Sequence, residues 1–392
     1  MARRRAAAAL LLVAALGGCA ITPATIGGGP PEPWATPLAA EVDELRSYVD
    51  ARLESMTLEQ KISSLIMVHV GGTEPGPMRR HIERHGLAGV ILMGDNVRSV
   101  RQVADLTSKL SSDPGLPVLT AIDQEGGVVR RLPDTFPAAL QLRGRRASAT
   151  EAAFRARAEL VAEAGVTINF GIVADVTGNR GSFIFARTLG DTAKDAAPRV
   201  AAAVEGENGL VWSTLKHFPG HGSVAGDSHV SVPTTGMSLS EWRRTQAAPF
   251  QAGIDAGADF VMLGHLRYSA VDSRPASQSA TWVGILREEL GFDGVVVSDD
   301  MTMLERSGEA AYAKQTTNAV RAVGAGTDLL LYVGPVDVRK VVRAVAGAVR
   351  DGRIPEATVD AAARRLMELR RGMSEESGPF IHCGAACREF TE

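Results

Sequence analysis

The stretch Gly294-Val-Val-Val-Ser-Asp-Asp-Met301 combines the two features that decide the fold. A short apolar run comes first, and acidic residues follow it directly. An uninterrupted apolar run of this length is typical of a strand that is buried on both faces, as in parallel sheets covered by helices. We therefore predict a strand over 294–297 with carboxylates at its carboxyl end.

Seven further runs of the same kind occur along the chain, at 65–69, 89–93, 118–122, 167–170, 211–215, 260–263 and 328–332. Successive runs start roughly 25 to 50 residues apart, which leaves room for a helix and two loops. Amphipathic segments predict helices over 42–55, 152–164, 193–204, 239–256, 310–323, 336–348 and 356–370. Eight such units predict a (β/α)8 barrel of the TIM type, as a single catalytic domain over 43–372. A doubly wound open sheet is the alternative, although no G-x-G-x-x-G motif follows any run.

The composition is that of an ordinary globular protein. The chain has 392 residues, of which 45% are hydrophobic and 22% charged, and its net charge is −3. These values exclude full-length disorder, collagen and coiled coil. The nearly neutral balance also argues against nucleic acid as a partner, because phosphate binding needs an excess of basic residues. We expect a monomer.

The first 42 residues predict targeting and a linker. Residues 1–19 have a basic start, an apolar segment over 6–16 that is too short to span a bilayer, and the ending Leu-Gly-Gly-Cys19. This ending resembles the lipobox of bacterial lipoproteins, which implies lipidation of Cys19; a secretory signal with a chance cysteine is the alternative. Residues 20–42 are a linker rich in Pro and Gly. We therefore expect an extracytoplasmic protein that meets the membrane only through a lipid anchor.

The tail over 373–392 contains the other two cysteines, Cys383 and Cys387. Outside the cytoplasm this pair can form a small disulfide loop, and two surface thiols are the alternative. With the adjacent His382 it still lacks ligands for a structural zinc site. We predict no metal and no organic cofactor.

Polar residues follow the predicted strands at one end: His69, Asp95, Asp123, Asp175, Lys216, His217, His265 and Asp299. In a barrel these strand ends open onto one face, where the active site is built. So many acids, histidines and a lysine at one face predict an enzyme. Asp175 has a structural alternative, in which it pairs with an arginine of a loop.

Three motifs hold most of these residues. Lys216-His-Phe-Pro-Gly-His-Gly222 begins a long loop in which Asp227 and His229 stand two apart, so that the carboxylate can fix the tautomer of the imidazole for acid/base work. Asp123-Gln-Glu-Gly-Gly-Val-Val-Arg-Arg131 suits the recognition of hydroxyl and carboxylate groups. Asp299 is a candidate nucleophile. The neighbouring Asp300 is either an alternative nucleophile or a helix N-cap.

Together and in this order, these motifs resemble glycoside hydrolase family 3, and within it the β-N-acetylhexosaminidase branch, over roughly residues 50 to 370. The resemblance implies a retaining, two-step reaction without a cofactor. Asp299 would be the nucleophile, His229 the acid/base, and Asp227 the partner of His229. The resemblance further implies that the hydroxyls of an N-acetylglucosamine ring are held by Asp123, Arg131, Lys216, His217 and Arg187. Arg187 is the least regular of these, because R-S-F-G of the family reads R-T-L-G here.

The resemblance and the location predict an exo-β-N-acetylglucosaminidase that acts on glycans derived from the cell wall. A phosphorylase of the same family, in which phosphate replaces water, is one alternative. A catalytically inactive glycan-binding surface lipoprotein is another. A metal hydrolase that uses His217 and His221 is disfavoured, because Pro219-Gly220 prevents the two histidines from sharing a helix face.

Overall fold

The computed structural model describes residues 39–380. The predicted signal peptide with Cys19, most of the predicted linker, and both tail cysteines lie outside the described residues. The lipid anchor and the tail disulfide therefore stay predictions. None of the described helices is long and apolar enough to cross a membrane.

Eight parallel strands form a barrel, and each follows its predecessor both in the chain and in space. The strands are Ile66–Val68, Gly89–Leu92, Leu119–Ile122, Ile168–Val173, Trp212–Phe218, Phe260–Leu263, Val295–Ser298 and Leu330–Tyr332. Strand 8 pairs with strand 1 in the register Ile66↔Leu330. Strands 7 and 8 meet through the bridge Val297↔Leu329, which brings the two edges together. The predicted (β/α)8 fold is confirmed, and the open-sheet alternative is wrong.

The eight strands coincide with the eight apolar runs, and nearly all of their residues are buried. The main difference is in strand 5, which continues to Phe218, whereas the sequence pattern placed Lys216 and His217 in a loop. Both residues stay in the strand because Lys216 pairs with Val173 of strand 4 and Phe218 with Leu263 of strand 6. The register shifts on both sides of strand 5, as is common beside active sites.

The seven predicted helices are present, although their ends differ from the predicted ones by up to five residues and one helix is divided. The longer α-helices span Ala39–Glu54, Pro75–His85, Val100–Thr107, Ala147–Glu163, Ala193–Glu207, Leu239–Thr245, Ala247–Asp255, Gln315–Ala325, Val338–Arg350 and Glu356–Gly372. Shorter ones span Leu58–Ser63, Ala139–Leu142, Ala280–Gly284 and Thr302–Arg306, and Ile285–Glu289 forms a π-helical turn. The segment predicted over 239–256 divides at Gln246, and the one over 310–323 begins at Gln315 after a separate 3-10 turn over Ala310–Tyr312.

A cluster of buried aromatic rings packs beneath the loop that follows strand 5. Trp282 contacts Phe218, Trp242 and Tyr268 edge to face, with ring centroids 5.0 to 5.7 Å apart. Two of these rings also reach the loop backbone: Trp242 Nε1 donates to the Pro219 carbonyl at 2.6 Å, and the Tyr268 hydroxyl donates to the Gly220 carbonyl at 2.6 Å. Buried aromatic residues thus hold the start of the loop in place.

Candidate active site

A cavity of about 310 Å³ opens at the carboxyl ends of the barrel strands. Its wall contains polar residues from strands 3, 4, 5 and 7 or the loops after them, together with apolar side chains. The polar residues are Asp123, Glu125, Arg131, Arg187, Lys216, His217, His221, Ser228, His229, Asp299, Asp300 and Arg306, and the apolar ones are Ile91, Met93, Val129, Phe183, Met262, Met303, Leu331 and Val333. Every predicted catalytic or sugar-binding residue except Asp227 lines this cavity.

Asp299 stands directly after strand 7, with its two carboxylate oxygens in different environments. Oδ1 accepts the backbone N–H of Asp300 at 2.8 Å, while Oδ2 accepts no hydrogen bond within the described part of the chain. Burial acts to raise the pKa of Asp299, but the nearby His217 and His265 and the Asp300 N–H outweigh it, and the pKa is lowered. Asp299 is therefore ionised at neutral pH and keeps one oxygen free for a reacting carbon.

The neighbouring Asp300 has a different role. Its Oδ1 accepts the backbone N–H groups of Thr302 and Val333 at 3.0 and 2.9 Å, and its Oδ2 accepts the hydroxyl of Thr302 at 2.6 Å. His265 fixes the same turn, because its Nε2 donates to the Asp300 carbonyl at 2.9 Å and its Nδ1 accepts from the Ser277 hydroxyl at 2.7 Å. Both residues shape the turn that presents Asp299, and His265 does not line the cavity.

Five charged side chains form a continuous network on one wall of the cavity. Lys216 Nζ lies 3.0 Å from Asp123 and 2.7 Å from Glu125. Arg187 donates to both oxygens of Glu125, at 2.7 and 2.8 Å. On the other side, Arg131 donates to Asp123 at 3.0 Å. The predicted sugar-binding residues Asp123, Arg131, Arg187 and Lys216 are therefore brought together, and Glu125 joins Lys216 to Arg187.

Glu125 is almost fully buried, and its charge is held by its two partners. Burial acts to raise the pKa of Glu125, but the charges and hydrogen bonds of Arg187 and Lys216 outweigh it and lower the pKa to about 2. Burial likewise acts to lower the pKa of Lys216, yet the carboxylates of Asp123 and Glu125 raise it. All three side chains are charged at neutral pH, so the wall presents fixed charges to a bound sugar.

His217 faces the cavity, and Asp175 behind it fixes its orientation. His217 Nδ1 donates to Asp175 Oδ2 at 2.7 Å, which leaves Nε2 as an acceptor for the Arg187 guanidinium at 3.4 Å. Asp175 also accepts the backbone N–H of His221. The structural alternative for Asp175 expected an arginine partner, and this was wrong, because the side-chain partner of Asp175 is His217.

The loop after strand 5 carries the second catalytic candidate. Asp227 Oδ1 accepts His229 Nδ1 at 2.5 Å and the backbone N–H of His229 at 2.9 Å. Burial acts to raise the pKa of Asp227, but these two hydrogen bonds outweigh it and lower the pKa. The His229 side chain is 59% exposed and lines the cavity mouth, with Asp227 behind it. This pair fixes one tautomer and leaves Nε2 for exchange of a proton with substrate or water.

His221 lies beneath this loop and is 1% exposed. Its Nε2 is 2.9 Å from the Ser228 hydroxyl, so it ties the segment between Asp227 and His229 to the barrel. Burial lowers the pKa of His221 to about 4, and the ring is neutral at pH 7. Its Nδ1, like Nε of Arg131, is buried without a hydrogen-bond partner in the described residues. Other parts of both side chains line the cavity.

The loop after strand 3 owes its shape to residues between Asp123 and Arg131. The Gln124 side-chain carbonyl accepts the backbone N–H groups of Arg131 and Leu132, at 2.8 and 2.9 Å, which fixes the return of the loop. Gly126 has φ +85°, and a Cβ there would lie 2.3 Å from the Arg157 guanidinium. The two glycines of the motif are thus explained by backbone conformation and close packing.

Two strand-end residues that the sequence pattern placed at the site lie elsewhere. His69 Nε2 and Asp95 Oδ1 pair with each other at 3.0 Å, and neither lines the cavity. The structure adds Phe183, Ser228 and Arg306 to the wall. Ser228 was part of a recognised motif, but no sequence signal marked Phe183 or Arg306. Within residues 39–380, no group of three His, Cys, Asp or Glu side chains is placed to hold a metal ion.

The arrangement supports displacement at an acetal carbon. It supplies an ionised carboxylate with a free oxygen, a histidine with a fixed tautomer, and a wall of charged groups that can orient hydroxyls. The same groups do not form a triad with a serine or cysteine nucleophile.

Residues 57–369 match the family model described as the Glycosyl hydrolase family 3 N terminal domain. A curated relative, the beta-hexosaminidase of Xanthomonas oryzae pv. oryzae, is 36% identical over 302 residues, which cover 72% of this chain and 87% of that protein. Another named beta-hexosaminidase, from Stenotrophomonas maltophilia, is 35% identical and covers 72% of this chain and 87% of the relative.

A solved structure with the same fold is a glycoside hydrolase family 3 beta-N-acetylglucosaminidase from Paenibacillus sp. str. FPU-7. The two structures superpose with a TM-score of 0.75 at 32% sequence identity. The match covers 84% of this chain and 65% of the Paenibacillus chain, so this chain spans about two thirds of that protein's length.

Proposed function

The chain belongs to glycosyl hydrolase family 3, and on that premise we propose that it is a retaining exo-β-N-acetylglucosaminidase that removes terminal N-acetylglucosamine from glycans derived from the cell wall. The prediction of a glycoside hydrolase is confirmed by the family. The choice of sugar is supported by the curated relatives, which are named beta-hexosaminidases, and by the solved beta-N-acetylglucosaminidase. The cell-wall source is supported by the family together with the predicted location outside the cytoplasm.

The observation that carries the proposal is the pair of unlike groups on one cavity: an ionised Asp299 and a His229 whose tautomer is set by Asp227. In the first step an Asp299 oxygen attacks the anomeric carbon. The bond to the leaving oxygen breaks, and that oxygen takes a proton from His229. In the second step His229 removes a proton from water, which attacks the same carbon and releases Asp299. Two displacements at one carbon retain its configuration.

The charged wall supports the binding of a single terminal sugar. Arg187, Lys216 and Asp123 present fixed donors and acceptors, and the buried Glu125 holds the two cations in register. A cavity of about 310 Å³ is at the small end of ligand pockets, which suits one ring at the end of a chain. We propose that the enzyme acts outside the cytoplasm as a lipid-anchored monomer that needs no metal or organic cofactor.

The test is hydrolysis of 4-nitrophenyl N-acetyl-β-glucosaminide beside the corresponding β-glucoside, on protein that starts after Cys19. We expect release of nitrophenol from the first substrate, and the β anomer of N-acetylglucosamine as the first product seen by proton NMR. Turnover of the glucoside alone would overturn the choice of sugar, and the α anomer as first product would overturn retention. Formation of a sugar 1-phosphate when phosphate is added would favour the phosphorylase alternative. The absence of any turnover would favour the inactive binding protein.

A further inference from the structure

Four large hydrophobic side chains are exposed among the residues that the structure describes: Val128, Leu140, Phe183 and Val230. Single exposed hydrophobic residues are common and need no function. Phe183 differs from the others because it is aromatic, is 37% exposed and lines the active-site cavity. It lies in the loop after strand 4, which supplies Arg187 to the opposite, charged part of the wall.

The Phe183 ring contacts the acid/base side of the cavity. Its centroid is 4.5 Å from that of His221 and 6.4 Å from that of His229, and both contacts are edge to face. His221 is itself fixed through Ser228 and through its backbone N–H to Asp175. The Phe183 ring is therefore exposed, but it packs on a buried histidine whose own position is fixed by hydrogen bonds.

Proximity to His229 identifies what Phe183 can touch. Under the proposed function, His229 gives its proton to the oxygen of the leaving group, so the leaving group must lie beside His229. An aromatic ring in that position meets the first unit beyond the cleaved bond. The C–H face of a pyranose is apolar and packs well on such a ring.

We propose that Phe183 is a specificity-determining residue that packs against the first sugar ring of the leaving group. The substrate is then a disaccharide or longer glycan, and a small alkyl leaving group lacks part of the binding energy. This inference rests on the proposed function and adds to it the residue that contacts the leaving group.

The test compares two substrates whose leaving groups have similar acidity and differ in shape. One is N,N′-diacetylchitobiose, which leaves as a sugar, and the other is trifluoroethyl N-acetyl-β-glucosaminide, which leaves without a ring. For Phe183→Ala we expect kcat/KM to fall about fivefold on the disaccharide, since an aromatic contact is worth about one kcal/mol and tenfold costs about 1.4. On the trifluoroethyl glycoside the change stays below about twofold.

Two further variants separate contact from structure. Phe183→Trp keeps an aromatic ring and is expected to retain activity on the disaccharide. Leu140→Ala removes another exposed hydrophobic side chain, outside the cavity, and is expected to leave kcat/KM on both substrates unchanged.

Equal losses of kcat/KM on both substrates would overturn the inference, because Phe183 would then act by positioning His229. The absence of any loss on either substrate would also overturn it. If the unaltered enzyme cleaves neither substrate, the proposed function fails and this inference with it.

Discussion

The buried carboxylate of Glu125 provides a quantitative test of how the sugar-binding wall is built. In Glu125→Gln the side chain keeps its size but loses its charge. One end of the amide can still accept a hydrogen bond, while its NH₂ group faces the donors of Arg187 or Lys216. Both cations are nearly buried, with side-chain exposures of 12% and 3%, and Arg187 has its two strongest contacts with Glu125. The substitution therefore leaves the buried Arg187 without its carboxylate partner and Lys216 with Asp123 alone.

The magnitude follows from the pKa of Glu125. The partners lower it from the ordinary 4.5 to about 2, and each unit corresponds to about 1.4 kcal/mol. The ionised form thus contributes about 3 kcal/mol to the free energy of unfolding, in line with the 3–5 kcal/mol, roughly, that breaking a buried ion pair costs. Because the folded pKa is the lower one, this contribution is present above pH 4.5 and is lost as the pH falls through about 2.

Urea unfolding followed by circular dichroism measures the effect. We expect Glu125→Gln to lower the free energy of unfolding by about 3 kcal/mol at pH 7, and by about half as much near pH 3. Glu289→Gln is the matched control, because Glu289 pairs with Arg243 at the surface at 2.6 Å, where loss of an ion pair costs less than about 1 kcal/mol. A difference below about 1 kcal/mol for Glu125→Gln at pH 7, or the same difference at pH 7 and pH 3, would refute the reasoning.

Three further predictions concern the catalytic pair and a buried acid. Asp299→Asn is expected to lower turnover of 4-nitrophenyl N-acetyl-β-glucosaminide by at least about 10⁴-fold. Asp300→Asn is expected mainly to lower the melting temperature. Similar activity losses in the two variants would contradict the separate roles of the two residues. His229→Ala should slow cleavage of N,N′-diacetylchitobiose far more than that of the nitrophenyl substrate, because a good leaving group needs little protonation, and equal losses would argue against an acid role. Burial raises the pKa of Glu207 from 4.5 to about 8. Between these pH values the unfolded state is ionised and the folded state is not, so the free energy of unfolding of the wild type falls as the pH rises. Urea titrations at pH 5 and pH 8 should show that Glu207→Gln removes this pH dependence, and an unchanged dependence would disprove the prediction.

Local patterns were sufficient for the strands and for the face that carries the site. An apolar run followed by Gly or a polar residue reports a strand and its end, because both faces of a barrel strand must be apolar. The helix predicted over 239–256 shows the limit of this approach. The structure divides it at Gln246, although the apolar pattern of the sequence continues through that position. The extension of strand 5 through Phe218 was missed for a related reason: Lys216 and His217 are polar, and only pairing with strands 4 and 6 keeps them in the sheet.

The motifs identified the reacting residues but not their partners. Asp299 and Asp300 are adjacent residues of the same type, so the sequence does not distinguish their roles. Their roles differ because Asp300 accepts hydrogen bonds from the backbone N–H groups of Thr302 and Val333. Asp175 meets His217 across 42 positions of the chain, and Glu125 meets Arg187 across 62. Such pairs depend on which strands are neighbours and on the path of the loops, neither of which has a local pattern.

The sequence by itself determined the eight β/α units, the common end at which polar residues collect, and the residues able to act as nucleophile and acid/base, because hydrophobic periodicity and side-chain chemistry are local properties. Only the tertiary structure decided that Glu125 joins Lys216 to Arg187, that His69 and Asp95 pair away from the cavity, and that Phe183 lies beside His229. These outcomes depend on distances between loops that are far apart in the chain, and closure of the barrel is what sets those distances.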